Sequence, residues 1–218
     1  MDEITPIVYV IDDEISIVRA LQRLLRSVGL AVQTFTSAQE FLDAKPQDAH
    51  GCLVLDVRMP GMSGIEVQQR LAAAGICLPV IFLTGHADIQ MSVRAMKAGA
   101  VEFLTKPFHE QELLDAIQSA LQRHRIELEN RAARAALQTH YDSLTRRERE
   151  VFRLVTNGLL NKQVAAELGA SEKTIKVHRA QVMRKMNAGS LADLVRMAEK
   201  LQTGPPPPKS DFSRTKVR

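Results

Sequence analysis

Short apolar runs alternate with amphipathic stretches through the first half of the chain. Ile7-Val8-Tyr9-Val10-Ile11 is a continuous β-rich run. From residue 14 to 28 the apolar positions are Ile17, Val18, Leu21, Leu24, Leu25 and Val28, the spacing of a helix with one buried face, and Gly29 stops it. Residues 31–35 predict a second strand, and Ser37-Ala38-Gln39-Glu40 predicts a capping box that opens a second helix. Further strands are predicted over 52–55, 80–83 and 101–104. Helices are predicted over 63–74 and 87–98, closed by Gly75 and Gly99, and another after Pro107. Five βα units imply a parallel sheet covered by helices on both faces. The strands are apolar throughout rather than alternating, as in a sheet buried on both sides. The expected fold is α/β, flavodoxin-like, (βα)5, with strand order 2-1-3-4-5.

The second half carries helical punctuation only. No Gly or Pro interrupts residues 108–157, and Leu114, Ile117, Leu121, His124, Leu128, Arg131 and Ala135 follow spacings of three and four. Residues 123–141 therefore predict a mostly helical linker. It is either a weak coiled-coil seam or a solvated helix, since His124 and Arg131 interrupt the seam. Thr145-Arg146-Arg147-Glu148 is a second capping box, and Asn157-Gly158 ends the helix it opens. Asn161, Ser171 and Ser190 are candidate caps for three further helices, with Gly169 closing the first of them. Helix, tight Gly turn, helix is the helix-turn-helix pattern. Pro205 to Pro208 enforces an extended stretch before a basic end that predicts disorder. The division is then 1–122 for the α/β domain, 123–141 for the linker, 142–201 for the helical domain and 202–218 for the tail.

Charge sharpens this division. The net charge of +4 over 218 residues hides two opposite halves. Residues 1–122 carry nine Lys and Arg against fifteen Asp and Glu, and residues 123–218 carry twenty against ten. A basic second half points to a polyanionic partner such as nucleic acid. No apolar run approaches the ~18 residues of a membrane span, and the acidic start Met1-Asp2-Glu3 does not resemble a signal peptide, so a cytoplasmic protein with no membrane partner is expected. Cys52 and Cys77 lie beside apolar runs without a C-x-x-C pair. They read as small buried residues of a reducing compartment, ahead of a disulfide or a zinc site.

Candidate chemistry collects at the strand ends. Asp12 and Asp13 follow the first strand, Asp56 the third, Thr84 the fourth and Lys106 the fifth. Open α/β sheets place ligands outside the C-terminal strand ends, so these five residues should share one crevice. Carboxylates crowded there raise one another's pKa, and a hard cation such as Mg²⁺ relieves the repulsion. A carboxylate beside Mg²⁺, a lysine and a hydroxyl is equipped to receive a phosphoryl group. Any one such Asp is more often a helix cap or a loop residue; the joint pattern is what carries weight.

Val8-Tyr9-Val10-Ile11-Asp12-Asp13-Glu14, Leu55-Asp56-Val57-Arg58-Met59-Pro60-Gly61-Met62-Ser63-Gly64, Phe82-Leu83-Thr84-Gly85-His86 and Phe103-Leu104-Thr105-Lys106-Pro107-Phe108 resemble a bacterial response-regulator receiver domain. The resemblance spans residues 5–122. It implies Asp56 as phosphoacceptor in an acidic pocket of Asp12 and Asp13, and Mg²⁺ on Asp13, Asp56 and the Arg58 backbone carbonyl. It also implies Lys106 on the phosphoryl group, a cis bond before Pro107, and Thr84 with Phe103 as a switch pair. Phosphorylation would reshape the face of residues 87–122 into a dimer surface. A sensor histidine kinase would be the donor, and the only enzymatic behaviour implied is Mg²⁺-dependent self-phosphorylation and dephosphorylation.

In the helix from residue 172 to 186, Ile175, Val182 and Met186 fall within about 40° of one another at 100° per residue and form a buried stripe. Lys173, Val177, Ala180 and Arg184 occupy about 60° of the opposite face. Lys176 flanks that face, and Thr174 and Arg179 are placed for backbone phosphates. Positive and small residues suit a major groove, where Lys and Arg reach guanine or phosphate and Val meets a thymine methyl. For Lys173 alone a solvated position is the plainer reading, and for His178 a packed structural one. Leu144-Thr145-Arg146-Arg147-Glu148-Arg149-Glu150-Val151, Asn161-Lys162 and Thr174-Ile175-Lys176-Val177-His178 resemble the LuxR-type DNA-binding domain over residues 140–201. This implies an all-α four-helix domain whose third helix enters promoter DNA and whose fourth serves dimerisation. Ala180 departs from relatives that carry a base-reading Lys there. The joint architecture resembles the NarL/FixJ group, with RNA polymerase an expected partner. Two other readings are weaker. A phosphatase or dehalogenase would place a D-x-D motif after the first strand, and a sigma-like factor would need an aromatic DNA-melting region.

Overall fold

The computed structural model describes residues 5–44, 50–85 and 89–202. The chain divides into two compact units between Glu129 and Asn130. In the first, strands β1 (Ile7–Ile11), β2 (Ala31–Phe35), β3 (Gly51–Asp56), β4 (Val80–Thr84) and β5 (Glu102–Thr105) alternate with helices α1 (Ile15–Ser27), α2 (Ala38–Asp43), α3 (Gly64–Ala73), α4 (Ile89–Lys97) and α5 (Glu110–Asp142). The strands form one parallel sheet in the order β2-β1-β3-β4-β5.

Period-two alternation sorts the strand side chains between two cores. Tyr9, Ile11, Leu53, Leu55 and Phe82 pack on one face with Phe41, Val67 and Leu71. Val8, Val10, Cys52, Val54, Ile81 and Leu83 pack on the other with Leu25 of α1 and Leu113, Ile117 and Leu121 of α5. Both faces are covered, which is why the strands read as unbroken apolar runs. Register aligns the strand ends: Ile11 lies opposite Phe35 and Leu55, Asp56 opposite Leu83, and Thr84 opposite Thr105. Asp12, Asp56, Thr84 and Lys106 are thereby delivered to one edge.

The second unit contains the last turns of α5 with α6 (Arg146–Thr156), α7 (Asn161–Leu168), α8 (Glu172–Lys185) and α9 (Leu191–Gln202). Its core joins Leu137 and Leu144 to Val151, Phe152, Val155, Val164, Ile175, Val182, Met186 and Leu194. Thr145 and Glu148 form the expected capping box, while Ser171 and Ser190 accept from Thr174 N and Asp193 N. Gly169 closes α7 at φ +62°, a left-handed conformation that favours glycine.

Several expectations need correction. Glu40 does not return its side chain to Ser37 but accepts from the N–H and hydroxyl of Thr36, so only the Ser37 half of that capping box forms. Asn161 is not the cap of α7: Gln163 Oε1 accepts from Leu160 N, and Asn161 binds Arg179 instead. Cys52 is fully buried, its thiol pushed up to about 12 by desolvation, but Cys77 is exposed; both are free thiols. His124, expected to interrupt a seam along a solvated linker, is instead part of the first unit's packing. It is buried, with Nδ1 2.9 Å from Gly51 O, so the first unit's packing runs past residue 122. The helix start expected at Ala87 and the tail from residue 203 lie outside the described residues. Among the described residues no helix is long and apolar enough to cross a membrane.

Candidate functional site: an acidic pocket and an exposed basic helix

Lys106 Nζ stands between two carboxylates, donating to Asp12 Oδ2 at 2.6 Å and to Asp56 Oδ2 at 3.0 Å. The second oxygen of each carboxylate is also held. Asp12 Oδ1 accepts from Glu14 N at 2.9 Å, and Asp56 Oδ1 from Arg58 N at 3.1 Å. Both carboxylates are buried, whereas Asp13 faces solvent. Burial raises the Asp12 pKa, opposed by the Lys106 and Glu14 hydrogen bonds and reinforced by the charge of Asp56. Burial pulls Lys106 down, but its bonds to Asp12 and Asp56 outweigh that and leave its pKa raised, so it stays an ammonium.

The donor set fits a hard divalent cation. Asp12, Asp13 and Asp56 each offer an oxygen, all within 4.8 Å of one another. Octahedral Mg²⁺ with bonds of ~2.1 Å separates its ligand oxygens by ~3.0–4.2 Å, so only a small closure is needed. One ammonium against three carboxylates leaves negative charge uncompensated, and Glu14, 3.9 Å from Lys106, adds to it.

The second concentration of charge lies on α8. Ile175, Val182 and Met186 are buried and fasten the helix to its unit. Lys173, Thr174, Lys176, Val177, Ala180 and Arg184 are exposed. Val177 is 56% exposed, an apolar side chain held in water on a face otherwise rich in cations. Lys176 lies 3.7 Å from Glu172 in an exposed i,i+4 pair, too weak to hold it from a phosphate. Arg179 is half-buried and donates from Nη1 to Asn161 Oδ1 at 3.1 Å, so part of its guanidinium is committed to α7. His178 is half-buried, in keeping with a packing role.

Comparison with known proteins decides between the readings. Residues 8–118 match the response regulator receiver domain family, and residues 142–198 match the bacterial regulatory proteins of the luxR family. Nodulation protein W of Bradyrhizobium diazoefficiens is 54% identical over 195 residues, 89% of this chain and 86% of that protein. The transcriptional regulatory protein FixJ of Azorhizobium caulinodans is 46% identical over 191 residues, 88% of this chain and 90% of that protein. The chain belongs to the NarL/FixJ group of response regulators. A low-resolution structure of the response regulator StyR, 52% identical, superposes with a TM-score of 0.82 and covers 90% of this chain and 99% of StyR.

In this response regulator the receiver motif residues converge as the strand ends dictate. Thr84 is fully buried at the end of β4, and its carbonyl accepts from Lys106 N at 2.7 Å. Phe103 on β5 is half-buried, its ring 6.5 Å from that of Phe82. The Lys106–Pro107 bond is cis. Arg58 is exposed beside Asp56. Two residues of the pocket were not singled out from the sequence. Glu14 supplies a backbone donor to Asp12 and an acidic side chain near Lys106; its signal was the unbroken run Asp12-Asp13-Glu14. Gly64 opens α3 directly against Asp56, where a Cβ would collide with the Asp56 carbonyl and crowd Leu55 and Phe82. The second glycine of Gly61-Met62-Ser63-Gly64 was the available clue.

Proposed function

We propose that Asp56 is the phosphoacceptor, loaded by a sensor histidine kinase, and that its phosphorylation gates dimerisation and promoter binding. The observation that carries this reading is Lys106 Nζ within 3.0 Å of both Asp12 and Asp56, beside the exposed Asp13. In the transfer, an Asp56 carboxylate oxygen forms a bond to phosphorus as the bond to the donor's imidazole nitrogen breaks. The electron pair leaves with the imidazole, which takes a proton. Asp13, Asp56 and the Arg58 carbonyl would hold Mg²⁺, with Asp12 completing the acidic pocket, and the ion would supply charge neutralisation on the transferring group. Lys106 swings from carboxylate to phosphoryl oxygen, and Asp12 stays as its second anchor.

The added charge and acceptor oxygens then draw the Thr84 hydroxyl. Phe103 fills the space Thr84 leaves, and the face of residues 87–122 becomes a dimer surface. Two α8 helices would enter half-sites related by two-fold symmetry, with Lys173, Lys176, Val177, Ala180 and Arg184 toward the bases and Thr174 and Arg179 toward phosphates. A receiver domain that extends past residue 122 to include His124, a helical connection up to residue 141, a DNA-binding domain over 142–201, a cytoplasmic location and a contact with RNA polymerase complete the reading. Sedimentation with and without a phosphodonor and Mg²⁺ tests the gating. Wild type should shift from monomer to dimer, and Phe103→Ala should shift less. Equal dimerisation by Phe103→Ala would defeat the switch role.

A further inference from the structure

We propose that Lys185 is a positioning residue for DNA reading: it fixes α8 along its axis by tying the C-terminal end of that helix to the start of α6 and the end of α5. The inference rests on the reading of α8 as the helix that meets the bases. Lys185 is the last residue of α8 and is half-buried, its Nζ engaged by two acceptors of the same unit. It donates to Glu148 Oε2 at 2.7 Å and to Ser143 O at 3.2 Å. Glu148 is buried, and the same Oε2 accepts from Thr145 N at 2.7 Å in the capping box of α6. One carboxylate oxygen thus joins the turn after α5, the first turn of α6 and the last turn of α8.

The apolar stripe cannot do this alone. Ile175, Val182 and Met186 hold α8 against its neighbours, but apolar contact is non-directional and tolerates small slides along the helix axis. Base reading needs side chains placed to within about 0.5 Å. A short charge-assisted hydrogen bond supplies that direction. The other charged ties reach α8 only by way of α7: Arg179 of α8 donates to Asn161, and Arg147 of α6 donates to the Leu168 carbonyl at the far end of α7. Lys185 is the tie that references α8 to α6. Its Nζ is already committed to Glu148 and Ser143, so it should add nothing to the count of phosphate contacts.

The test uses the full-length chain with phosphodonor and Mg²⁺. Affinities are measured against salt for two probes, a duplex selected by wild type from a randomised pool and poly(dI-dC). Lys185→Met keeps the stem and removes the charge. It should lose about tenfold in affinity for the selected duplex, from the loss of the charge-assisted bond to Glu148 and the weaker one to the Ser143 carbonyl. Its affinity for poly(dI-dC) and its salt slope should not change. Lys185→Arg should restore the selected affinity to within about twofold. Should Lys185→Met fold poorly, Glu148→Gln provides the same comparison from the other partner. Loss on both probes with a slope shallower by about 0.9 would make Lys185 a phosphate contact and overturn the proposal. A lowered melting temperature with unchanged selected affinity would reduce it to a stability residue and equally overturn it. Lys176→Ala is run in parallel. If it leaves both affinities intact, the reading of α8 itself fails; if it weakens binding while Lys185→Met does not, only this inference fails.

Discussion

Lys106→Met isolates the electrostatics of the acidic pocket. The side chain of Lys106 is 14% exposed, that of Asp12 1% and that of Asp56 8%, so its removal leaves two nearly dry carboxylates facing each other. Breaking a buried pair by removing one partner costs about 3–5 kcal/mol; the slight exposure of Lys106 and the backbone donors that remain on both carboxylates favour about 3 kcal/mol at neutral pH. That corresponds to about 10²-fold faster amide exchange for residues 52–55 of β3, after correction for intrinsic rates. The pH dependence follows from Asp12. Its pKa is already raised by burial and rises further without its cation. A raised acid contributes stability below its unfolded pKa, near 3.9, and loses it as pH climbs through the folded value. The deficit of the variant should therefore shrink on acidification toward pH ~4 and be largest at neutral pH. Mg²⁺ should stabilise the variant more than wild type, because no ammonium competes for Asp12 Oδ2 and Asp56 Oδ2. Protection equal to wild type at neutral pH, or a deficit that deepens on acidification, would refute the reasoning.

Gly64→Ala should destabilise the first unit by about 1–3 kcal/mol, since its Cβ collides with the Asp56 backbone carbonyl and crowds the buried Leu55 and Phe82 side chains; thermal unfolding measures it, and phosphorylation should slow with it. Glu148 is pushed up by burial, but hydrogen bonds from Lys185 and Thr145 hold it below its ordinary value. Its contribution is then present above pH ~4.3 and lost as pH falls through the lower folded value. Urea titrations across that range should show the second unit weakening in wild type and a flatter profile in Glu148→Gln. Lys176→Ala should reduce the salt slope of DNA binding by about 0.9, or relax base preference with the slope intact; anisotropy titrations distinguish a phosphate contact from a base contact.

The sheet order and the pocket were legible because the signals are local and strong. Unbroken apolar runs report burial on both faces, and residues immediately after parallel strands must meet at one edge. Asp12, Asp56, Thr84 and Lys106 needed no tertiary detail to be brought together. Partner choice was not legible. The sequence placed Lys106 near the carboxylates but not between them, and it assigned Arg179 to phosphate without its bond to Asn161. Caps failed for two reasons: α7 starts one residue early, so Leu160 and not Asn161 is its cap, while α2 starts as expected but its Glu40 carboxylate accepts from Thr36 rather than Ser37. His124 was misread because helical spacing shows which residues share a face, not which neighbour covers it; that neighbour is Gly51, 73 positions away. Gly64 was missed because a glycine's reason for being small lies in the atoms opposite it.

The most direct test of the account is intact mass after incubation with a small-molecule phosphodonor and Mg²⁺, for wild type and Asp56→Asn. Wild type should gain one phosphoryl group, lost again over time, and Asp56→Asn should gain none. An adduct of equal yield on Asp56→Asn would place the chemistry elsewhere. No adduct on wild type from either the phosphodonor or a phosphorylated histidine kinase would contradict phosphorylation of Asp56 as the switch.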